Sequence, residues 1–561
     1  MDLETKQLEE RSDYLNSEEV KDWYVDNDFY RNIQKKLLGP GAKLLVGPRG
    51  TGKTHQMLYT YNLCIEDDNK PMALYISFNR YYHLEPLISS APNAKNIFHT
   101  WVLAKIILSL YEFCHRRNIQ IDHLISEDWL HYDYITDFIG EAEKSNYQFF
   151  NEEILYKLNV SFVKSLITNI QNINSRKRTI ILLDDAALTL TPEYLVEFFE
   201  IFVSLKSNNI SPKASVYPGT TDYGMKFHLG HDAEKVDCWI NVSEDMDSYS
   251  KFMDDLINKR FSFIKESIDT NILELLKYAS FGIPRAFIFL IRSYLQSSKN
   301  TKQAKFNEVI DIHSELIKAE YRSLKQKVPQ FENIIEVGYE FFQNVIGELT
   351  SVNKNIKSKN LILGLEKYDN RMIDRMLQLL IEAGLLYKYS SNVHHGLNRE
   401  YIRFTPHLIF LFKMNAFSEG KGFDANKILN RLLSSSEKHP MRRKFEKLVS
   451  SNSILNLKLD LPTCNKCRTP RMQESQRFCH VCGNELVNPS AFQKCMDLSV
   501  DVIPFTPFLS KAVKDANFKK IRDFYAMQNP TSELIKIRRI GNARSQEIIK
   551  RVKIVVEEFL A

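Results

Sequence analysis

Gly47-Pro48-Arg49-Gly50-Thr51-Gly52-Lys53-Thr54 is the stretch that decides the fold of this 561-residue chain. Its glycines, its lysine and its final hydroxyl residue have the spacing of a phosphate-binding loop. The apolar run Leu44-Leu45-Val46 precedes the loop and is typical of a buried parallel strand. The segment His55-Gln56-Met57-Leu58 follows and can begin a helix. The sequence therefore predicts the strand–loop–helix order that such a loop needs, and with it a parallel α/β core.

The residue types in this loop predict how a triphosphate is held. Gly50 and Gly52 let backbone N–H groups turn inward around phosphate oxygens, and the N-terminus of the next helix adds its positive dipole end. Lys53 is expected to reach the β- and γ-phosphates, and the Thr54 hydroxyl to hold Mg²⁺. We therefore expect residues 47–54 to bind ATP together with Mg²⁺.

A second acidic motif is expected to complete this site. Thr179-Ile180-Ile181-Leu182-Leu183-Asp184-Asp185 is a strand-forming run that ends in two acids. At the carboxyl end of a central strand, Asp184 would bind Mg²⁺ directly or through water. Asp185 would orient or deprotonate the attacking water. The alternative is an ordinary strand that ends in an acidic turn.

Two later segments supply candidates for contacts to the γ-phosphate. Ala214 to Thr221 reads as another central strand, with hydroxyls at its tip. Thr220 or Thr221 would contact the γ-phosphate or its water; capping of the following turn is the alternative. Further along, Pro284 suits the first turn of a helix and would place Arg285 near the start of that helix.

These segments together resemble an AAA+ ATPase over roughly residues 30–330. The resemblance rests on residues 47–54, on Leu182-Leu183-Asp184-Asp185, on the hydroxyl-tipped strand and on Gly282-Ile283-Pro284-Arg285. It points to the origin-recognition and replication-initiator clade, or to the signalling ATPases built on the same core. It implies an α/β fold with an AAA+ parallel sheet and a helical lid, and it implies that Arg285 is the second sensor of the γ-phosphate.

Two departures from that family pattern favour an ATP-gated switch over a ring-type motor. Asp185 stands where the family usually has glutamate, so we expect slow hydrolysis. No arginine lies between Arg178 and Arg260, the stretch from which many AAA+ assemblies donate an arginine finger to a neighbouring subunit. Lys226 or Lys235 would be a poor substitute, because lysine lacks the planar fork of arginine.

Composition indicates a large globular protein. The chain is long enough for three or more domains, with 44% hydrophobic and 26% charged residues. The charged start, Met1 to Lys6, predicts no signal peptide, and no apolar run approaches the ~18 residues of a membrane span. Leu408 to Phe412 comes nearest. We therefore expect a cytoplasmic protein without a membrane partner.

The charge is unevenly distributed. The net charge is +6, and residues 421–561 carry 26 Lys and Arg against 14 Asp and Glu. This basic tail is the part in which DNA would be held. A solvated basic surface without a partner is the alternative.

Residues 331–415 are predicted to form a winged helix. A helix over Arg371 to Ile381 is followed by Gly384, a typical helix stop, and then by two strand-like runs around a polar tip. Winged helices follow the lid in replication-initiator ATPases. Arg371, Arg375 and the tip would then meet DNA phosphates, although a module that only packs proteins together fits equally well.

Four of the eight cysteines predict a zinc site. Cys464, Cys467, Cys479 and Cys482 form two Cys-x-x-Cys knuckles whose four thiolates can close a tetrahedral Zn²⁺ site. The pattern resembles a zinc ribbon, and redox disulfides are the alternative. Four cysteine ligands leave no open position, so this zinc would be structural.

The last sixty residues resemble a helix-hairpin-helix, as in the C-terminal domain of the bacterial RNA polymerase α subunit. Gly541 would let the hairpin turn and expose N–H groups to a phosphate. Arg539 stands where many such hairpins have glycine, and the position of that domain's main DNA-binding arginine falls near Phe508. Lys511, Lys514, Arg538, Arg539 and Arg544 remain for DNA contact, and protein docking is the alternative.

Two functions from different classes follow from these modules. The first is an ATP-dependent DNA-binding switch that recruits or regulates a separate effector protein, resembling components of bacterial antiviral defence or mobile-element systems, and able to form a homo-oligomer. The second is a signalling ATPase whose C-terminal modules bind protein. The predicted parts are an N-terminal helical segment (1–30), an AAA+ nucleotide-binding core (31–240), a helical lid (241–330), a winged helix (331–415), a basic linker (416–460), a zinc ribbon (461–490) and a helix-hairpin-helix domain (500–561).

Overall fold

A computed structural model gives the fold of this chain. It describes residues 15–560 except 79–80, 86, 92, 120–127, 144–151, 186–190, 222, 225–226, 241, 243–245, 263, 356–358, 396–398, 419–421, 435–439, 474–475, 477, 485, 487–490 and 526–529. Lys226, one of the two substitutes considered for an arginine finger, lies outside the described residues, as does part of the tip between the two strand-like runs.

A parallel five-stranded sheet forms the first layer of the fold. Its strands lie in the order β2-β3-β4-β1-β5, and every neighbouring pair is parallel. Strands β3 and β4 are buried along their whole length. Strand β3 is continuously apolar from Ile180 to Leu183, as expected for a buried parallel strand, whereas β4 also buries Ser211, Lys213 and Ser215. The α/β fold with a parallel sheet that the sequence predicts is confirmed. The strands are β1 (Lys43–Val46), β2 (Met72–Ser77), β3 (Thr179–Asp184), β4 (Ile210–Val216) and β5 (Glu234–Asp237).

Helices cover both faces of this sheet, and alternate residues of each strand enter different cores. Leu45, Ile180 and Leu182 join one core, and Ile181 and Leu183 join the other. This alternation follows from the two-residue period of a strand. The helices of this part are α1 (Ser17–Asp22), α2 (Asp28–Leu38), α3 (Lys53–Glu66), α4 (Leu87–Ser90), α5 (Ala94–Arg116), α6 (Tyr132–Ala142), α7 (Glu152–Lys157), α8 (Val160–Ile173) and α9 (Pro192–Leu205).

Helix α5 is the one helix in the described ranges that is long and apolar enough to cross a membrane. Its 18-residue window has a mean hydropathy of 1.4, and 78% of that window is buried inside the protein. Sequence reasoning overlooks this segment and names Leu408 to Phe412 instead. Because most of its surface is already covered by protein, α5 has the environment of a core helix.

A group of helices follows the sheet and covers one of its faces. We call this group the lid. Its apolar residues share one core with the sheet residues Leu45, Ile180 and Leu182. The lid consists of α10 (Met246–Arg260), α11 (Ile264–Ser267), α12 (Thr270–Ala279), α13 (Pro284–Gln296) and α14 (Lys302–Lys327).

A second sheet module, residues 332–457, continues the same core. Strand β9 pairs antiparallel with β6, β7 and β8, and β10 joins β6 in parallel. The order helix, strand, helix, hairpin is compatible with the predicted winged helix. The elements are α15 (Glu332–Asn355), β6 (Leu363–Glu366), α16 (Arg371–Glu382), β7 (Leu386–Lys388), β8 (Val393–His395), β9 (Arg399–Pro406), α17 (Leu408–Lys413), α18 (Ala425–Leu433), β10 (Met441–Arg443) and α19 (Ser451–Leu455).

Residues 416–460 differ from the basic linker that we expected. Helix α18 packs on the lid helix α12, β10 extends the second sheet, and Phe445, Leu448 and Leu457 are buried in the shared core. The apolar residues of this stretch are spaced among many charges, so composition alone hides its amphipathic pattern. This segment therefore packs on both the lid and the second sheet module and joins them.

The C-terminal part contains the four clustered cysteines and a group of helices. Residues 461–484 have little regular structure among those described. The helices α23 and α24 contact each other across a short turn, as the helix-hairpin-helix prediction requires. These C-terminal helices are α20 (Ala491–Asp497), α21 (Pro507–Asp515), α22 (Arg522–Tyr525), α23 (Pro530–Ile535) and α24 (Asn542–Leu560).

The close approach of Gly219 to α16 generates a stability prediction. A Cβ atom at Gly219 would lie 2.8 Å from the backbone nitrogen of Leu379 and 2.9 Å from the carbonyl of Gln378. Gly219→Ala should therefore force α16 away from the loop after β4 (residues 217–221, called the β4 loop). We expect this to lower the free energy of unfolding by about 1–3 kcal/mol. Thermal and urea unfolding of the full chain measure this change.

Gly347→Ala is the matched control for this substitution. Gly347 lies in α15, and a Cβ atom there would meet nothing within 4 Å. The control should be neutral or stabilise the protein by up to about 1 kcal/mol, because alanine is the better helix former. Equal melting curves for Gly219→Ala and the unsubstituted protein would contradict the close contact.

Candidate nucleotide site and cysteine cluster

The phosphate-binding loop lies between β1 and α3, as predicted. Gly50 and Gly52 have φ values of +80° and +90°, which residues with a side chain rarely adopt. The ammonium of Lys53 is buried and donates hydrogen bonds to the carbonyls of Gly47 and Pro48, at 2.6 and 2.9 Å. Burial lowers the pKa of Lys53 to about 8. Lys53 thus folds back on its own loop, where a triphosphate would offer it stronger acceptors.

Asp184 is fixed at the carboxyl end of β3 by its two neighbouring strands. The Tyr75 hydroxyl of β2 donates to one carboxylate oxygen at 3.0 Å, and the Ser215 hydroxyl of β4 donates to the other at 2.8 Å. Asp184 is almost fully buried. These contacts fix the orientation of the carboxylate beside the loop, an arrangement that suits a cation ligand.

Asp185 follows directly and turns the chain. Its φ is +52°, and its backbone N–H donates to the Ser215 hydroxyl at 2.8 Å. The charges of Asp184 and Asp185 both act on Lys53 and raise the pKa of that group against the effect of its burial. The two acids and the lysine therefore belong to one electrostatic site.

Arg285 lies beside the loop, where the resemblance placed a second sensor. Its backbone N–H donates to the Gly50 carbonyl at 3.3 Å, and a Cβ atom on Gly50 would lie 2.6 Å from the Cβ of Arg285. The side-chain Nε of Arg285 is buried and has no hydrogen-bond partner among the described residues. An unpartnered guanidinium nitrogen next to a phosphate loop fits an anionic ligand.

Thr220, which the sequence suggested as a contact to the γ-phosphate or its water, is hydrogen-bonded to a carboxylate of α16 in this structure. Its hydroxyl donates to the Glu382 carboxylate at 2.9 Å, and its backbone N–H donates to the same group at 2.7 Å. The backbone N–H of Gly219 adds a third contact at 2.8 Å. Thr221 instead accepts a hydrogen bond from the Tyr217 backbone N–H at 3.1 Å, and so caps the turn. Thr220 has this partner because α16 packs on the loop after β4. The sequence around Thr220 does not predict that contact.

Several residues of this site were missed by the sequence reasoning. The Tyr217 ring lies 4.2 Å from the Lys53 ammonium and 5.6 Å from the Arg49 guanidinium. Ser215 had a signal, since it is a hydroxyl residue within a buried strand beside the acidic strand. Glu382 had none, because it is 162 residues from Thr220 in the chain.

A cavity of about 180 Å³ lies between the loop, the lid and the second sheet module, and Arg49, Arg285 and Glu382 line it. His313 and His407 also line it. Burial lowers the pKa of His313 to about 4 and that of His407 well below its usual value. Both imidazoles are therefore neutral near pH 7, and arginine and carboxylate groups supply the charge at this junction.

The four clustered cysteines come together as predicted for Zn²⁺. Their Sγ atoms lie within 4.8 Å of one another, and the pairs Cys464–Cys482 and Cys467–Cys479 are 3.5 Å apart. These distances are too long for a disulfide and close to the ~3.8 Å expected between sulfurs on one tetrahedral Zn²⁺. The cluster therefore fits a structural zinc.

Both knuckles have the same backbone geometry. In the first, the Cys464 carbonyl accepts from the backbone N–H of Arg468; in the second, the Cys479 carbonyl accepts from Gly483. Arg468 and Gly483 are both left-handed, with φ values of +58° and +67°. Two separate segments thus adopt the same type of turn, and each turn directs its two cysteine sulfurs towards the centre of the cluster.

The basic residues predicted to meet DNA differ in their availability. Arg375 of α16 lies over the Phe331 ring at 4.5 Å and is half-buried, whereas Arg371 is exposed. In the C-terminal helices, Arg544 lies over the Phe508 ring at 5.0 Å. Arg539 has a φ of +70° at the position where glycine was expected. The basic residues of the C-terminal helices that were named as candidates are all exposed: Lys511, Lys514, Arg538, Arg539 and Arg544.

Comparisons with known proteins give limited matches. The profile of the ORC-CDC6-like family matches residues 9–82, which include the phosphate-binding loop. A solved structure of the Aeropyrum pernix ORC1 protein in complex with DNA aligns with 69% of this chain and 91% of its own length, at 11% identity and a TM-score of 0.28. A search of curated proteins finds no significant match.

Removal of the cysteine pair Cys464 and Cys467 tests the metal site. Cys464→Ser with Cys467→Ser should abolish zinc binding, because two of four ligands are removed, and should unfold residues 461–484 locally. Elemental analysis should give about one Zn²⁺ per unsubstituted chain and none in the double variant. Cys64→Ser with Cys114→Ser is the control, since these buried thiols lie outside the cluster. Full metal retention in the first variant would contradict the assignment.

Proposed function

We propose that this protein is an ATP-dependent, DNA-binding AAA+ ATPase of the ORC-CDC6-like type that works as a nucleotide-gated switch. The observation that carries the proposal is the convergence of three parts of the chain on one phosphate loop. The core supplies Lys53 and Asp184, the lid supplies Arg285 at Gly50, and Gly384 after α16 lies against Ile283 and Pro48. The family profile over residues 9–82 agrees with this assignment.

The residues of the loop suit ATP with Mg²⁺. Backbone N–H groups of residues 47–54 and Lys53 would bind the phosphates, and Thr54 and Asp184 would hold Mg²⁺. Bound Mg²⁺ would neutralise phosphate charge and orient the phosphate oxygens. Asp185 would position the attacking water, and Thr220 and Arg285 would contact the γ-phosphate.

A switch is favoured over a motor for two reasons. Asp185 is one methylene shorter than the usual glutamate, so its reach to a water is reduced. No arginine is present between Arg178 and Arg260 to act across a subunit boundary. We infer slow hydrolysis, with ATP binding as the main signal, in a cytoplasmic protein that can form homo-oligomers.

DNA is the partner best supported by the basic C-terminal part. Its net charge is +12, and its candidate basic residues are exposed on the C-terminal helices. A winged helix over 331–415, a zinc ribbon over 461–490 and a helix-hairpin-helix over 500–561 would each present a surface to DNA. ATP would then control how a separate effector protein is recruited, in a bacterial defence or mobile-element system.

The second candidate is a signalling ATPase whose C-terminal modules bind protein. The exposed apolar side chains of the cysteine module favour it: Met472, Phe478 and Val481 are 74%, 59% and 65% exposed. Exposed apolar residues of this kind suit contact with another protein.

A salt-titrated DNA-binding assay separates the two candidates. Fluorescence anisotropy of a labelled duplex would be measured with the full chain, with ATP and Mg²⁺, with ADP and Mg²⁺, and without nucleotide. We expect binding that weakens steeply with salt and that differs between ATP and ADP. Lys53→Ala should remove the effect of nucleotide. No binding at low salt would exclude the DNA proposal.

Charge-reversal variants show which surface is responsible. Lys511→Glu, Arg538→Glu and Arg544→Glu together should reduce DNA affinity by at least about tenfold, and should lower the salt slope by about one for each phosphate that the variant no longer neutralises. Lys251→Glu, Lys259→Glu and Lys265→Glu on the lid make the same change in net charge and are the control. An equal reduction in affinity for both sets would show a non-specific charge effect and contradict the assigned surface.

A further inference from the structure

Glu382 occupies a site for an anion at the tip of the β4 loop. Two backbone N–H groups, from Gly219 and Thr220, donate to Oε2 at 2.8 and 2.7 Å, and the Thr220 hydroxyl donates to Oε1 at 2.9 Å. Consecutive backbone N–H groups with an adjacent hydroxyl form a donor set that binds carboxylates and phosphates alike. In this structure, a carboxylate of the chain itself fills that set.

This carboxylate lies next to the phosphate loop. Glu382 and Thr220 line one small cavity together with Arg49, the third residue of the loop, and with Lys327 of the lid. Glu382 also lines the larger junction cavity, in which Arg49 and Arg285 take part. The negative charge of Glu382 therefore borders the same cavities as Arg285 and Thr220, the two residues that the proposed function assigns to the γ-phosphate.

The second sheet module determines where Glu382 lies. Glu382 is the last residue of α16, and the backbone of this helix at Gln378 and Leu379 packs directly on Gly219. Gly384, with a φ of +71°, follows at once and lies near Ile283 and Pro48. Glu382 can thus reach the β4 loop only when α16 is docked at the nucleotide site.

We propose that Glu382 is a specificity-determining residue that makes the docked state discriminate against ATP in favour of ADP. This inference rests on the proposed function, because it assumes that the loop binds these nucleotides. A γ-phosphate needs the Thr220 hydroxyl as a donor, and that hydroxyl cannot donate to Glu382 at the same time. The carboxylate also repels a nearby γ-phosphate, whereas ADP has no group that competes for these donors.

The coupling runs in both directions. Binding of ATP favours the release of Glu382 and so loosens α16. A partner that binds only when α16 is released would raise the affinity for ATP by the same factor by which ATP raises the affinity for that partner. A ligand shifts such an equilibrium only by its difference in affinity for the two states. ATP and ADP differ only by the γ-phosphate. The γ-phosphate is therefore the group through which Glu382 would change the relative affinities for ATP and ADP.

Glu382→Gln tests this role with little change in shape. Glutamine keeps one acceptor oxygen for the Gly219 and Thr220 N–H groups and removes the charge. Calorimetric titration of the full chain with ADP and with a non-hydrolysable ATP analogue, each with Mg²⁺, gives both affinities. We expect the variant to bind the ATP analogue about five- to fifty-fold more tightly, with its ADP affinity within about twofold of the original.

Two further variants keep this test decisive. Glu320→Gln removes another carboxylate that lines both cavities but has no hydrogen bond to the loop after β4 in the described contacts. This variant should leave the ratio of the affinity for the ATP analogue to the affinity for ADP (the ATP-to-ADP ratio) unchanged. Gly219→Ala perturbs the same contact from the loop side and should raise that ratio in the same direction as Glu382→Gln. Melting curves show that each variant is folded.

The outcomes distinguish this inference from the proposed function. If the unsubstituted protein binds neither nucleotide, the proposed function fails. If it binds both, and Glu382→Gln and Gly219→Ala leave the ATP-to-ADP ratio within about twofold of the original, then Glu382 does not discriminate, although ATP binding stands. An equal rise for Glu320→Gln would assign the effect to general charge at the junction and would likewise overturn the inference.

Discussion

The contact between Gly50 and Arg285 is the constraint on which the candidate nucleotide site depends. The lid helix α13 comes so close to the phosphate loop that no side chain fits at position 50. Gly50 also has a left-handed backbone, so two independent requirements select glycine at one position. This contact brings a buried, unpartnered arginine nitrogen to the loop, and it fixes the lid against the sheet. Lid and loop therefore move relative to each other only if this contact is broken.

The second sheet module extends the same constraint. Its apolar residues share one core with the lid and with one face of the parallel sheet. Residues 416–460 strengthen this union, because they add a helix on the lid and an edge strand on the second sheet. A change at the phosphate loop thus has a continuous packed path to α16. Such packing suits a protein that converts nucleotide state into the position of a distant module.

The parts of this site that the sequence could predict are local in the chain. The loop over 47–54, the strand ending in Asp184, and the four cysteines are each defined by neighbouring residues and by spacing. The helix start at Arg285 is predictable from Pro284 for the same reason. The parallel sheet follows from buried strand patterns near these motifs.

The parts that escaped prediction depend on distant residues. Thr220 was assigned by its place at a strand tip, yet its partner Glu382 belongs to another module. Tyr217 lies over Lys53 because the ends of β1 and β4 are neighbours in the sheet, a pairing that spacing does not reveal. Residues 416–460 resemble a linker in composition, because their many charged residues stand between the apolar residues that are buried in the shared core. In each case, tertiary packing decided the role of a residue whose local sequence allowed several.

The Glu382 carboxylate at the loop after β4 links the proposed nucleotide binding to the position of α16. If the phosphate loop binds ATP, the γ-phosphate and Glu382 would compete for the Thr220 hydroxyl, and binding of one would exclude the other. Control of the contact between this loop and α16 by the γ-phosphate can be measured by amide hydrogen exchange of residues 217–221 and 376–386, in complexes saturated with ADP or with a non-hydrolysable ATP analogue. We expect faster exchange in both segments with the ATP analogue than with ADP. Identical exchange in the two saturated complexes would contradict it.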